Sequence, residues 1–133
     1  MGFFSLGSES KPAGKNGFVL ECAVHPLRLP ANKADFVELE IVLESQSNDS
    51  QLASLLIDLP KSLGFDQSAL SQRKEIRFGE LMPGQKKKLT LNIYGTQRTQ
   101  PGSYNIYLTA SSHYRTYEHV LAEVRKTIVL RAA

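Results

Sequence analysis

Cysteine and tryptophan are the scarcest residues of this 133-residue chain, which contains one cysteine and no tryptophan. Because a disulfide needs two thiols, the single Cys22 excludes an internal disulfide. It also excludes zinc and iron–sulfur sites that are built from several cysteines. Cys22 lies in the apolar stretch FVLECAV, where we expect a buried and unreactive side chain.

Long apolar runs are also absent. The apolar runs are far shorter than the ~20 residues that a membrane-spanning helix needs. The N-terminus lacks both the basic start and the apolar core of a signal peptide. We therefore expect no membrane span and a soluble, cytoplasmic protein.

The first seventeen residues combine Gly, Ser, Lys and Pro after a short apolar start. This composition is typical of a flexible tail. We predict a flexible tail over residues 1–17 and one folded domain over residues 18–131. Phe3, Phe4 and Leu6 form at most a weak hydrophobic hook by which the tail attaches to a surface or a partner.

Sequence motifs of common catalytic and nucleotide-binding sites are missing as well, namely GxSxG, GxxxxGK[ST] and GxGxxG. The three histidines show no recognisable pattern with a carboxylate and a nucleophile. His113, Glu118 and His119 are metal-ligating residue types, but their spacing matches no recurrent ligand motif. We predict that the protein is not an enzyme and that it uses no cofactor and no metal.

Alternation of apolar and polar residues is the strongest pattern that the chain contains. In FVELEIVLE, every second residue from Val37 to Leu43 is aliphatic and the three glutamates fall on the other side of the strand, which is typical of a half-buried strand. Seven segments show this period, separated by turns with Pro, Gly or Asn, and no long helical pattern occurs. They are FVLECAVH, FVELEIVLE, LASLLIDLP, KEIRFGEL, KKLTLNIYG, the stretch from Tyr104 to Ala110 and the stretch from about His119 to Leu130.

Such spacing predicts an all-β protein, a two-sheet antiparallel immunoglobulin-like sandwich of about seven strands. A parallel sheet would need helical crossovers between its strands. Lys126 interrupts the apolar phase of the last strand, which indicates a bulge or an edge position there. The sequence MPGQ predicts a tight turn built on Pro83 and Gly84.

The succession VELEIVLES, GELMPGQKKKLTLNI and TQPGSYNIYLTA resembles the immunoglobulin-like modules of archaeal and bacterial proteins, of the CARDB and fibronectin type III kind. The resemblance extends from Phe18 to Leu130. It implies a binding or spacer role rather than catalysis. It also implies that Tyr104 is a tyrosine corner, with a buried ring and a hydroxyl bonded to nearby backbone. Thr99 stands where the fibronectin pattern usually has leucine.

Charge is distributed unevenly along the chain, although the net charge is only +3. Through Asp66 there are five Lys or Arg against nine Asp or Glu, a balance of −4; from Gln67 onward there are eleven against four, a balance of +7. Two arrangements follow from this pattern. Either the two segments occupy different faces, or interleaved strands mix the two signs.

Aromatic residues are concentrated near the C-terminus, where the segment from Pro101 to Leu121 holds four of the five tyrosines. We expect Ser111 to Glu118 to form the hairpin between the last two strands. Tyrosine and arginine bind partners well because they carry large contact areas with little entropy loss. The candidate partner-binding residues are therefore Tyr107, His113, Tyr114, Arg115 and Tyr117. The alternative is that these side chains only cap the sandwich.

Basic residues form a second candidate set, consisting of Arg73, Lys74, Lys86, Lys87 and Lys88. A basic stripe can follow a phosphate backbone. However, no nucleic-acid-binding module signature accompanies it. The alternative is a solvated turn whose lysines discourage pairing of exposed strands.

Together these observations predict a non-enzymatic interaction or assembly module. It would bind a protein partner or a second copy through strand edges and the Tyr/Arg-rich hairpin. The alternative hypothesis is binding of nucleic acid or another anionic surface through the basic C-terminal half.

Overall fold

The computed structural model describes residues 18–133, so the predicted tail over residues 1–17 lies outside the described residues. Strands are the only regular secondary structure of the described residues, and turns and loops connect them. They are β1 (Phe18–His25), β2 (Arg28–Leu29), β3 (Asp35–Ser45), β4 (Gln51–Asp58), β5 (Leu63–Gly64), β6 (Arg73–Leu81), β7 (Lys86–Gly95), β8 (Gly102–His113) and β9 (Val120–Ala132).

Two sheets pack face to face. Sheet A has the strand order β1-β3-β7-β5, and sheet B has the order β2-β9-β8-β4-β6. All pairings are antiparallel except that of β2 with β9. The predicted all-β immunoglobulin-like sandwich is therefore confirmed. The seven predicted segments are the seven long strands, and the two-residue strands β2 and β5 add to them.

Alternation builds the core between the sheets. Every second side chain of β3 points inward, and Val37, Leu39, Ile41 and Leu43 are fully buried. Sheet B contributes its own alternate residues in the same way, including Leu55 and Ile57 of β4 with Ile106 and Leu108 of β8. Burial of these apolar surfaces is the main driving force for folding.

Cys22 belongs to this core. Its side chain is buried, and burial raises the pKa of the thiol to about 12 because the charged thiolate is disfavoured away from water. The expectation of an unreactive thiol agrees with this environment, since the thiolate is the reactive form.

Two local devices that the sequence predicts are present. The amide of Gln85 donates to the carbonyl of Met82 at 3.0 Å, which closes the predicted turn, and Gly84 adopts a positive φ of 76° there. Tyr104 packs against the core and its hydroxyl donates to the carbonyl of Gln100 at 2.6 Å, as a tyrosine corner does.

Thr99 occupies the position where the fibronectin pattern has leucine, and its hydroxyl forms two hydrogen bonds there. The residue is fully buried, and its hydroxyl donates to the carbonyl of Ser62 at 2.8 Å. The same oxygen accepts the amide of Thr96, also at 2.8 Å. A buried hydroxyl with both roles satisfied costs little, so a polar residue is tolerated at this position.

Lys126 is the one long charged side chain directed into the seam between the sheets along β9. Strand β9 keeps its register at Lys126, so there is no bulge at this residue. The alternative, an edge position, is found, because β2 pairs only with Arg131 and Ala132 and leaves the rest of β9 open on that side. The ammonium group of Lys126 donates to the carbonyl of Leu20 in β1 at 3.1 Å. An inward-directed lysine at an open edge hinders pairing with another strand.

The hairpin between β8 and β9 begins later than expected. Strand β8 continues to His113, so Ser111 and Ser112 belong to the strand and only residues 114–119 form the connection. None of the described residues belongs to a helix that is long and apolar enough to cross a membrane.

Replacement of Tyr104 by Phe should lower the free energy of unfolding by about 1 kcal/mol, because the hydrogen bond to Gln100 is lost while the ring is kept. The matched control is Tyr107→Phe in the same strand, whose hydroxyl has only a long contact of 3.4 Å with Asn105. That change should stay within about 0.5 kcal/mol. Urea unfolding measures both values, and equal losses would contradict the corner assignment.

Candidate functional site: the hairpin end of sheet B

The connection between β8 and β9 is a compact hairpin of residues 114–119. The amide of Tyr114 donates to the carbonyl of His119 at 2.9 Å, and the amide of His119 donates to Thr116 at 3.1 Å. Arg115 has a φ of 67°, a left-handed conformation that residues other than glycine adopt rarely. Such a conformation persists where its surroundings hold it, and it is frequent at functional sites.

Tyr117 attaches this hairpin to the outer face of sheet B. Its hydroxyl accepts a hydrogen bond from the amide of Gly79 at 3.0 Å. Gly79 has a positive φ of 78° and lies at a bulge, where the register between β4 and β6 shifts between Ala53 and Ser54. The guanidinium of Arg77 lies over the Tyr117 ring at 4.6 Å, a cation–π contact that covers the outer side of the ring.

His113 lies beneath Tyr117, with the two rings 5.0 Å apart in an edge-to-face arrangement. It is only 4% exposed, although it belongs to the outer face of sheet B. Its Nε2 is 2.7 Å from the hydroxyl of Ser54, which is 6% exposed. The hairpin therefore covers a polar pair that would otherwise face water.

The Ser54–His113 pair is a contact that the sequence did not suggest. A serine nucleophile of the triad type needs a carboxylate that orients its histidine through Nδ1. Here Nδ1 of His113 has no hydrogen-bond partner among the described residues. Ser54 lies 59 residues before His113, so no local sequence motif marks the pair.

Burial lowers the pKa of His113 below its ordinary value of 6.5, because the imidazolium loses water. The nearby charge of Glu75 acts in the opposite direction, and that of Arg77 adds to the lowering. The hairpin therefore packs best over a neutral histidine.

A cleft of about 710 Å³ lies beside the hairpin. One wall consists of the hairpin and the start of β9, with Tyr114, Arg115 and Leu121. The other wall consists of the loop before β4, the start of β4 and the end of β6, and its lining residues are Asp49, Ser50, Gln51, Leu52 and Glu80. His113 at the end of β8 also lines the cleft. The guanidinium of Arg115 lies over the Tyr114 ring at 5.0 Å, which holds the two side chains together.

Large apolar side chains are exposed around this cleft. Tyr114 is 50% exposed, Val120 51% and Leu121 43%, and Met82 at the adjacent turn is 55% exposed. The hydroxyl of Ser50 from the cleft wall contacts the sulfur of Met82 at 3.1 Å, which brings that turn to the cleft. We call the hairpin, the cleft and Met82 the hairpin-end surface.

The structure brings together four of the five candidate partner-binding residues. Tyr114 and Arg115 are exposed at the tip, whereas Tyr117 and His113 lie underneath and support it. His113 is only 4% exposed, although it is among the residues that line the cleft. Tyr107 is separate, since it is six residues before His113 along β8, about 20 Å away. Val120 and Leu121 follow the hairpin directly in sequence, whereas Met82, Asp49 and Glu80 join the surface only through the fold.

The five candidate anion-binding residues do not form one stripe. Arg73 and Lys74 begin β6, whereas Lys86, Lys87 and Lys88 begin β7, after the turn that follows the other end of β6. The nine-residue length of β6 separates the two groups by about 26 Å. Arg73 forms an ion pair with Asp58 at 3.4 Å, and the ammonium of Lys74 lies over the Phe65 ring at 5.7 Å.

Acidic and basic segments meet on the outer face of sheet A. Strand β3 supplies glutamates and its neighbour β7 supplies lysines, with Lys86 opposite Glu44 in the register. Lys88 forms an ion pair with Glu40 at 3.3 Å. On this face the interleaved strands mix the two signs, which is the second of the two arrangements that the charge pattern allows.

The described residues contain no group of three or more His, Cys, Asp or Glu side chains that could hold a metal ion. Of the residues considered for a metal from the sequence, His113 is buried under Tyr117, whereas Glu118 and His119 are exposed in the hairpin.

Comparison with known proteins supports the fold. No protein-family model matches the chain, and a search of curated proteins finds no match. Among solved structures, the chain is similar to the CARDB domain of a Pyrococcus furiosus protein that was solved in complex with di-metal ions. The TM-score is 0.60 and the identity 15%, over 94% of this chain and 95% of that chain.

The chain is also similar to BslA, a bacterial hydrophobin. The TM-score is 0.51 and the identity 9%, over 92% of this chain and 98% of that chain. At these identities the likeness concerns the fold alone. It confirms the predicted resemblance to CARDB-like immunoglobulin modules at the level of the fold.

The lowered pKa of His113 predicts a pH dependence of stability. Because its pKa is lower in the folded state, His113 binds a proton more readily in the unfolded state once the pH is below about 6.5. The free energy of unfolding therefore decreases as the pH falls from 6.5 to the pKa of the folded state. Urea unfolding at pH 7.5 and pH 5.0 should show a loss in the native chain that is smaller in His113→Asn. The control His119→Asn, at an exposed position of the same hairpin, should keep the native loss. The same loss in all three proteins would contradict this prediction.

Proposed function

We propose that this protein is a non-enzymatic interaction module that binds a protein partner through the hairpin-end surface. The observation that carries the proposal is the cluster of exposed Tyr114, Val120, Leu121 and Met82 around a cleft that also presents Arg115. Contiguous exposed apolar side chains with a polar rim are typical of protein-binding sites.

The support beneath the surface strengthens the proposal. Tyr117 is bonded to Gly79, stacked under Arg77 and packed on His113, so the hairpin is held on the sheet before a partner arrives. Pre-organised contact residues lose less entropy on binding. Tyrosine and arginine are also the residue types that carry much of the binding energy at protein interfaces.

The strand edges offer a weaker case. Strands β1 and β6 end their sheets, but Lys126 occupies the seam beside β1, and β6 carries Arg73, Lys74 and Arg77. The open part of β7 begins with three lysines. Charged side chains on exposed edges oppose pairing with another strand. We therefore assign recognition to the hairpin end rather than to an edge.

The basic residues give little support to the alternative of an anionic partner. They are divided between the start of β6 and the start of β7, which belong to different sheets. Three of the five lie beside an acidic or aromatic neighbour in the structure: Arg73 by Asp58, Lys88 by Glu40 and Lys74 over Phe65. A phosphate backbone is bound best by several unpaired cations along one track.

Site-specific cross-linking tests the proposal. A photoreactive phenylalanine analogue at Leu121 should give discrete protein cross-links in an extract of the native cells, and nuclease treatment should leave them unchanged. The matched control is the same analogue at Val129, which is exposed on the same strand but outside the cleft. It should give only background labelling.

A charge reversal completes this test. Arg115→Glu in the Leu121-labelled chain should reduce the cross-links at least about tenfold, as loss of a central interface arginine does. Equal labelling at positions 121 and 129, or products that disappear with nuclease, would overturn the proposed function.

A further inference from the structure

The hairpin-end surface carries charges of both signs that form no ion pair with another residue in the range 18–133. Arg115 lies on the hairpin wall of the cleft, and Asp49 and Glu80 lie on the opposite wall. Among the described residues, none of the three has an oppositely charged group within 4.0 Å; the ion pairs are Arg73–Asp58, Arg77–Glu75, Lys88–Glu40 and Arg125–Glu123. The guanidinium of Arg115 contacts the Tyr114 ring instead.

The arrangement is self-complementary. The hairpin is a ridge with a basic tip, and the cleft beside it is a groove whose far wall is acidic. In a two-fold symmetric pair the same patch of both copies meets, so that residue i of one contacts residue j of the other and the reverse. A two-fold axis through the cleft therefore places each Arg115 against the Asp49 and Glu80 wall of the other copy.

Apolar contacts accompany these charges. Tyr114 lies on the ridge, Leu121 and the half-buried Leu52 line the groove, and Val120 and Met82 flank it. A ridge that enters the groove of the second copy would cover these side chains on both molecules at once. The acids and the arginine would then form the polar rim that surrounds an apolar centre at protein interfaces.

We infer that the partner of the hairpin-end surface is a second copy of this chain, bound as a two-fold symmetric dimer in which Arg115 of each copy pairs with Asp49 and Glu80 of the other. This inference rests on the proposed function and names its partner. The dimer is expected to form in a concentration-dependent equilibrium.

Sedimentation velocity of the full chain over a range of concentrations tests the inference, with variants that change the charges of the patch. Arg115→Glu leaves only acids on both walls, and the double variant Asp49→Arg/Glu80→Arg leaves only arginines. Because like charges then face each other twice in a symmetric dimer, each variant should dimerise at least about tenfold more weakly than the native chain.

A mixture of the two variants gives the decisive result. The acidic patch of Arg115→Glu faces the basic patch of Asp49→Arg/Glu80→Arg, so the mixture should form a heterodimer although neither variant pairs with itself. Arg98→Glu, which changes one exposed charge in the loop after β7, is the control and should dimerise like the native chain. Circular dichroism of each variant confirms that it is folded.

A native chain that stays monomeric at all concentrations would overturn the inference. So would a dimer that Arg115→Glu does not weaken, or a mixture that stays monomeric. Position-specific cross-links from Leu121 to other proteins would then still support the proposed function, whereas their absence together with a monomeric chain would overturn both.

Discussion

The hairpin end of this molecule depends on one hydrogen bond, from the amide of Gly79 to the hydroxyl of Tyr117. The bond joins an edge strand to a hairpin 38 residues away in the chain, at the point where β6 bulges. Because the Tyr117 ring is fixed there, it covers His113 and Ser54 and turns an outward-facing part of sheet B into a buried polar layer. The exposed tip is thereby held in one place, with Arg115 in its left-handed conformation.

A two-sheet sandwich has open strand edges. In this molecule charged side chains lie along those edges, whereas exposed apolar side chains lie at the hairpin end. The seam between β1 and β9 holds the side chain of Lys126, whose ammonium group satisfies the Leu20 carbonyl. On the opposite side β6 and β7 carry lysines and arginines. Charge therefore protects the backbone edges, while tyrosine, leucine, valine and methionine side chains at the hairpin end are about half exposed. Exposed apolar surface of that kind usually marks an interface.

The sequence pattern predicted those features that depend on residues close together in the chain. The alternation in β3, the turn at Pro83 and Gly84 and the corner at Tyr104 each depend on residues within a few positions, and each is found in the structure. Lys126 was expected to mark a bulge or an edge position, and the strand is regular there but open on one side. The carbonyl that satisfies it belongs to β1, 106 residues earlier, and no local pattern shows that partner.

The candidate site also contains residues that the sequence identified and residues that only the tertiary structure brings together. Residue type alone identified the Tyr114–Arg115 tip and Tyr117 beside it. Burial of His113 was missed because the strand is longer than its polar end suggested, and the covering ring arrives by the return of the hairpin. Asp49, Glu80 and Met82 come from other strands and loops, so only the tertiary fold places them at the cleft. The basic residues are near one another in sequence. In the structure the extended strand β6 separates them, and sequence spacing alone does not show that distance.

Amide hydrogen exchange of Gly79, followed by NMR on the full chain, tests most directly that Tyr117 holds the hairpin on the sheet. An amide in a stable hydrogen bond exchanges only when that part of the structure opens. We expect slow exchange of the Gly79 amide in the native chain and at least about tenfold faster exchange in Tyr117→Phe, with core amides of β4 unchanged. If the native Gly79 amide exchanges at the rate of an unprotected peptide, Tyr117 does not hold the hairpin on the sheet.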